Sequence, residues 1–370
     1  MKKLFALLLA LCMVFSLAAC AGSSGDAKTE DTATEDSATE DSAAEDTAAT
    51  EDAAASGERE KVVIGASFNS LMNDVFTVSQ TLMETWAANP LNEDDPYVDL
   101  TILVADGDTT KQISDVNDLI NKGCDAILID PVDSTAVEPA IQACKNAGIP
   151  CVTYNRPLSD EVKTRPDVEV RIGAYEQGYD TAKYCFEIMK EDGIEDINII
   201  LCNGETRDDN SVQRALGVAA ACEEYGANIV AQLPCDWDPT VVAELLPAAL
   251  EGNPDTNCVY VATDGMLSGV QSSLEDIDRW APYGDENHMY IAACDLFEEG
   301  YNNVASGYID ADALMDVVGM ISNAYQSAFA LIRGEEVEPL VNTTGATYTA
   351  ANYNDADMVS DQALWWKWKK

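Results

Sequence analysis

Histidine is almost absent from this chain: His288 is the single one in 370 residues, and it follows Trp280-Ala281-Pro282 in a polar stretch that reads as surface loop. No H-E-x-x-H, G-x-S-x-G or phosphate-cradling P-loop occurs, and no Cys or His pair has the spacing of metal ligands. The usual signatures of metal-dependent, nucleophilic and nucleotide chemistry are therefore missing, and no cofactor is called for. Paired carboxylates are abundant, but in so acidic a chain their abundance carries no information without geometry. Basic residues are scarce as well: 21 Lys and Arg face 66 Asp and Glu, a formal net charge of −45. Such a surface argues against nucleic acid or an anionic membrane face as a partner.

No apolar run is comfortably long enough to cross a bilayer. The nearest, residues 4–17, follows Lys2 and Lys3 and has the charged-then-apolar layout of a secretory signal. It closes on Leu17-Ala18-Ala19-Cys20, which resembles a bacterial lipobox. Residues 1–20 are thus expected to be a lipoprotein signal, with Cys20 acylated at the mature N-terminus. Residues 21–60 repeat an acidic theme (Glu30-Asp31, Glu35-Asp36, Glu40-Asp41, Glu45-Asp46, Glu51-Asp52) without a large apolar residue. That segment cannot bury enough surface to offset its ordering entropy and is expected to be a solvated tether. Export favours disulfides, yet no C-x-x-C occurs and the number of cysteines after Cys20 is odd. Cys124, Cys151, Cys202, Cys258 and Cys294 sit at apolar runs, and Cys144, Cys185 and Cys222 in helical patterns, so buried free thiols are expected.

From Lys61 onward short apolar runs alternate with amphipathic segments at a period of about thirty residues, the rhythm of a parallel sheet covered on both faces. Strands are predicted at 62–66, 100–104, 126–129, 151–154 and 168–172, then at 197–202, 229–233, 258–262 and 290–293. Helices are predicted at 110–121, 134–146, 175–189, 211–225, 240–250 and 314–333. Two such series exceed one modest sheet, so the fold class is α/β, with two doubly wound parallel-sheet lobes and a hinge near Gly173. The first lobe is expected over 61–173 plus about 312–343, the second over 174–311 plus about 344–370. Ligands of open α/β sheets sit beyond the carboxyl ends of the strands, so residues there are the candidates for function.

The stretches Asp106-Gly107-Asp108, Gln112 to Ile120, Gly123 to Ser134 and Ala147 to Arg156 resemble the ribose-binding branch of the type I periplasmic sugar-binding proteins. What that resemblance implies is the two-lobed binding-protein fold with a polar clamp in its crevice. The family's Asp-Arg pair falls on Asn155 and Arg156, its late second-lobe Asp on Asp295, its Asn-Asp pair on Thr263 and Asp264, and its late cleft Gln approximately on Asp312. The second-lobe aromatic falls on Trp237, with Phe68 and Phe76 as first-loop rings near Asn69 and Asn73. The family's arginine before the second-lobe helix falls on Val212, which leaves Asp209, Asn210 and Arg214 nearby. Asn210 is taken as a ligand residue and Arg214 as a structural one, while the terminal Trp365, Trp366 and Trp368 are expected to pack onto a lobe.

A sugar's hydroxyls suit carboxylates and guanidinium, and its C–H face suits aromatic rings. The function implied is a monomeric, membrane-anchored, extracytoplasmic solute-binding lipoprotein. It would pass a small polar ligand, a monosaccharide, to an ABC importer's permease. A sensor presenting the same ligand to a membrane receptor is the alternative, and a carbohydrate-active enzyme a lesser one.

Overall fold

In a computed structural model the residues described are 60–360 and 363–369. The signal, Cys20 and nearly all of the tether lie outside the described residues. The first lobe begins with β1 (Lys61–Phe68), α1 (Asp74–Ala88), β2 (Tyr97–Val104), α2 (Thr109–Lys122), β3 (Ala126–Ile129), α3 (Glu138–Ala147), β4 (Cys151–Asn155) and β5 (Val168–Arg171). β3 and β4 are buried along their whole length, which is why they read as unbroken apolar runs rather than alternating ones. Local signals set the helix limits. Asp108 caps α2 by accepting from the Thr110 and Lys111 amides, and Gly123 ends it with φ +80°. α3 starts later than its pattern predicts because the Asp133 side chain holds the Thr135 and Ala136 amides in a turn and Pro139 opens the helix.

The second lobe follows with α4 (Ala174–Glu191), β6 (Asn198–Asn203), α5 (Asp209–Tyr225), β7 (Asn228–Pro234), α6 (Pro239–Gly252), β8 (Cys258–Val261), α7 (Leu267–Glu275), β9 (Tyr290–Asp295), α8 (Glu298–Ala305) and β10 (Ala311–Leu314). The chain then returns with α9 (Val317–Ile332) and β11 (Leu340–Asn342) to the first lobe and ends with β12 (Thr347–Thr349) in the second. Strand orders are β11-β5-β4-β3-β1-β2 and β12-β10-β9-β8-β6-β7. Both sheets are wound alike, and only β12 runs antiparallel to its neighbour. Each lobe therefore has a switch point, between β1 and β3 and between β6 and β8, where the loops diverge and leave a crevice.

The chain crosses between lobes at residues 172–173, 315–316 and 343–346. The second crossing corrects the expected boundary at 312: Ala311–Leu314 pairs with β9 and belongs to the second sheet, so the return to the first lobe starts after it. The crossings are tied together, since Leu314 N–H donates to Ala346 O at 2.9 Å and Thr343 N–H to Arg171 O at 2.7 Å. Gly345 is required there, because a Cβ on it would lie 2.1 Å from Leu314 O. His288 also departs from expectation. It is 7% exposed, with Nε2 3.1 Å from Asp310 Oδ1 and Tyr290 edge-on against its ring, an internal polar tie of the second lobe rather than a surface residue. All nine described cysteines are buried and free.

Candidate functional site

β4 ends in a turn that aims two side chains at the crevice. Asn155 takes φ +69°, a left-handed conformation that Asn tolerates better than most residues, and its Nδ2 donates to Asp130 Oδ1 at 3.1 Å. Burial pushes Asp130 up to about 7, against the pull of Arg156 and the Asn155 bond. Arg156 is 6% exposed and is fixed by a 2.5 Å bond from Nη1 to Val132 O. Its Nε lies 2.9 Å from Asp208 Oδ2 of the other lobe. That approach is an ion pair, and the Nε–H donates no hydrogen bond. Asn210 Nδ2 reaches Asn155 Oδ1 at 3.3 Å, and Asp209 N–H donates to Ser134 Oγ at 2.9 Å, so the lobes meet along this rim.

After β1, Asn73 caps α1 by accepting from Phe76 N–H, and both residues line the crevice. Phe68 does not. It is fully buried, edge-on to Tyr154 with ring centroids 6.0 Å apart, because the last residue of β1 still alternates into the lobe's core. The ring expectation at Phe68 is thus corrected, while Phe76 stands at the crevice wall.

The second lobe centres on Arg214. Its guanidinium donates to Gln177 Oε1 from Nε and Nη2 (3.0 and 2.8 Å), to Ala262 O from Nη1 (2.7 Å), and from Nη2 to Asp295 Oδ1. Arg214 lines the crevice, whereas Val212 is 39% exposed on the outer face of α5. Two helical residues turn the side chain by about 200°, so only one of the two positions can face inward. The structural reading of Arg214 is corrected in that respect: it is a structural tie that also forms crevice wall. Asp295 sits at φ +92°, a strained conformation, with its carbonyl held by Met315 N–H and Trp365 Nε1–H. Trp237, at φ +62°, packs against Gly204, and the Arg214 guanidinium lies 6.0 Å from its ring centre.

Thr263 accepts from Gly265 N–H, and Asp264 Oδ2 accepts from Phe297 N–H at 2.6 Å. Behind Asp264 lies Asp312, fully buried on β10, with Oδ1 bound to Leu296 N–H at 3.2 Å. Asp312 does not line the crevice, a correction to its expected place, because strand alternation turns it into the sheet's covered face. Burial, then the charges of Asp312 and Asp295, raise Asp264 well above the usual carboxylate range, and burial with the charge of Asp295 raises Asp312 against the pull of its bond to Asp264, so the pair holds a shared proton near neutral pH.

The crevice encloses about 1050 Å³. Four buried polar atoms on its lining residues have no hydrogen-bond partner among the described residues: the donors Arg156 Nε and Trp237 Nε1, and the acceptors Asn210 Oδ1 and Asp264 Oδ1. Arg207, which pairs with Glu205 at 2.8 Å, and Lys369, which pairs with Asp74 at 2.8 Å, also line it. Asp208, Glu205, Arg207, Met315 and Lys369 were not legible as site residues. Only the cap pattern at Asp208 before an amphipathic run was available, and a cap does not reveal which crevice it faces.

Two α/β lobes, three chain crossings and a deep polar crevice at the strand ends define a hinged, two-lobed binding protein. The chain belongs to the periplasmic binding protein domain family, whose model matches residues 64–336, and its fold is of type I. It is 26% identical over 227 residues to a ribose import binding protein of Bacillus subtilis, covering 60% of this chain and 70% of that one. It is 25% identical to a xylitol-binding protein of Mycolicibacterium smegmatis, covering 72% and 71%. Among solved structures, a protein from Mycobacterium smegmatis in complex with β-D-fucofuranose superposes with a TM-score of 0.70 at 22% identity, covering 80% of this chain and 93% of that one. A Bacillus halodurans solute-binding protein with bound myo-inositol gives 0.68 at 22% identity, covering 80% and 97%.

Proposed function

We propose that this chain is an extracytoplasmic, lipid-anchored solute-binding protein. It captures a monosaccharide or similar polyol between its lobes and presents it to an ABC importer, without chemistry and as a monomer. The observation that carries the reading is the set of buried crevice atoms that make no hydrogen bond among the described residues, the donors Trp237 Nε1 and the ion-paired Arg156 Nε and the acceptors Asn210 Oδ1 and Asp264 Oδ1, drawn from both lobes. Hydroxyl groups both donate and accept, so a polyol satisfies such a mixed set at once, while a hydrocarbon or a purely acidic ligand leaves half of it unpaired. Phe76 and Trp237 supply apolar faces for ring C–H groups. Because Arg156 and Asn155 come from one lobe and Arg214, Asp295, Thr263 and Asp264 from the other, ligand contacts favour the closed form, which a permease can recognise. Ribose and xylitol, named for two relatives, and the furanose and inositol of two structural neighbours are all polyhydroxylated. Cys20 is the anchor and residues 21–60 the spacer in this reading. Calorimetry against pentoses, hexoses, furanoses and inositols tests it. One class binds with about 1:1 stoichiometry, and Arg156→Ala loses about 2–4 kcal/mol of that affinity without unfolding. Turnover of a sugar by the purified protein, unaffected by that substitution, sinks the reading.

A further inference from the structure

Among the described residues the lining of the crevice holds ten carboxyl groups and four cationic side chains, and the way they are paired limits the charge of a guest. Each cation already has a carboxylate: Arg156 has Asp208, Arg207 has Glu205, Arg214 has Asp295 and Lys369 has Asp74. Two of these pairs, Arg156–Asp208 and Arg214–Asp295, are almost fully buried, so drawing either guanidinium to an anionic guest strands a buried carboxylate. Left over are Asp106, Asp236, Asp238, Asp264, Glu298 and Glu299, which take no part in the ion pairs seen among the described residues. Five of them stand at the exposed rim, where their summed field repels an approaching anion. Asp264 is different: it lines the crevice at 2% exposure, lies close to Asp312, and its buried Oδ1 accepts no hydrogen bond from the described residues. A hydroxyl or an ammonium group donates to that oxygen, whereas a carboxylate or phosphate oxygen placed there brings no proton and meets the one negative charge that the proton-sharing Asp264–Asp312 pair retains.

Resting on the polyol reading above, we infer that the crevice sorts polyols by charge, admitting neutral and ammonium-bearing ones and refusing carboxylated or phosphorylated ones, with Asp264 as the discriminating group. The test is calorimetry on the full exported protein with matched probes: glucose, glucosamine and glucuronate; galactose, galactosamine and galacturonate; ribose and ribose 5-phosphate. In each carbon skeleton that binds, the ammonium form stays within about tenfold of the neutral parent or exceeds it, and the anion falls at least about 100-fold below. The anion's deficit shrinks as salt is raised from about 20 to about 500 mM, because the rim contribution is screened. Asp264→Asn narrows the neutral-to-anion ratio by about tenfold or more, and an unchanged ratio overturns the role given to Asp264. A uronate or sugar phosphate that binds as tightly as its neutral parent overturns the filter while leaving the polyol reading intact. Silence from every probe and from every further neutral polyol overturns the polyol reading and the filter with it.

Discussion

Trp365 donates its indole N–H to the carbonyl of Asp295 at 3.0 Å, and its ring stands edge-on to Phe297 with centroids 4.9 Å apart. Asp295 is the crevice residue held at φ +92°, so the terminal segment of the chain braces a strained turn at the binding site. The same segment reaches the first lobe, where Lys369 pairs with Asp74 in the first turn of α1. It therefore touches both lobes away from the hinge.

Trp365→Ala removes a fully buried ring and a donor to Asp295 O. Expected is a loss of about 3–5 kcal/mol of stability in urea unfolding, together with weaker ligand binding. Trp365→Phe keeps most of the ring and loses only about 1 kcal/mol. The Lys369–Asp74 pair is half exposed, and Lys369→Ala changes stability by less than about 1 kcal/mol. Wild-type stability and binding in Trp365→Ala would exclude the bracing role.

The buried pair of Arg214 and Asp295 is expected to behave as one unit. Arg214→Ala leaves Asp295 Oδ1 and Gln177 Oε1 without their donors and destabilises the second lobe by about 3–5 kcal/mol. Arg214→Lys recovers little, since an ammonium cannot span Gln177, Ala262 O and Asp295 at once. A double-mutant cycle with Asp295→Ala in denaturant melts checks this, and a coupling energy below about 0.5 kcal/mol would show the two to be independent.

Much of the architecture could be read in the residues because β3, β4 and β8 are short apolar runs buried on both faces, and Asp108, Gly123 and Gly148 mark helix ends by their own chemistry. β10, β11 and β12 could not be. Each has three or four residues, β10 carries a buried carboxylate, and β11 is largely exposed, so none has a periodic apolar signature. In the site, the strand-end residues Asn155, Arg156, Thr263, Asp264 and Asp295 were accessible to the rule that crevices form at carboxyl ends. Arg214 was rightly taken as a structural residue but not as crevice wall, and Asp312 was placed in the crevice although it lies behind it, for a common reason. On a helix or strand, an error of one or two positions swaps a crevice-facing side chain for one facing solvent or the core.

Gly300 illustrates a constraint invisible in sequence. A Cβ there would lie 1.8 Å from Asp264 Oδ2 and 2.5 Å from Asp312 Oδ2. Neither carboxyl can retreat freely, because Asp264 holds Phe297 N–H and Asp312 holds Leu296 N–H. Gly300→Ala is expected to destabilise by about 1–3 kcal/mol and to weaken ligand binding, whereas Gly→Ala in an ordinary helix stabilises. Unfolding midpoints at or above wild type would show that the carboxyl pair tolerates displacement.

The same pair makes stability depend on pH. Burial and the charge of Asp295 push Asp312 up to about 8 from 3.8, so the native state retains a proton that the unfolded chain releases. The stabilisation is complete below pH 3.8 and is lost as pH rises through about 8. General repulsion in a chain of net charge −45 has the same sign, so the slope alone is not diagnostic. Asp312→Asn separates the two: its amide oxygen still accepts from Leu296 N–H and its amino group donates to Asp264. Relative to wild type it gains roughly 1 kcal/mol or more at pH 8 and less at pH 5 in urea melts. Equal gains at both pH values would assign the slope to overall charge.

The cysteines offer a direct check on packing. Cys185 and Cys258 approach to 3.7 Å between sulfurs, well beyond bonding distance, and all nine described thiols are buried. Burial raises Cys222 and Cys294 to about 12, which leaves almost no thiolate to react at neutral pH. A thiol-reactive chromophore is therefore expected to label fewer than about one of these nine sites within minutes in the native protein. In guanidinium it should label all nine, and ligand should slow what native labelling there is, since labelling needs opening of the lobes. Cys235 is the informative exception, because its hydrogen bond to Cys202 lowers its pKa and it adjoins Asp236 and Trp237 at the crevice. It should be the first site modified. A denatured count short by pairs would mean that adjacent thiols, such as Cys202 and Cys235, are oxidised in the exported protein, and the buried-thiol reading would then fail.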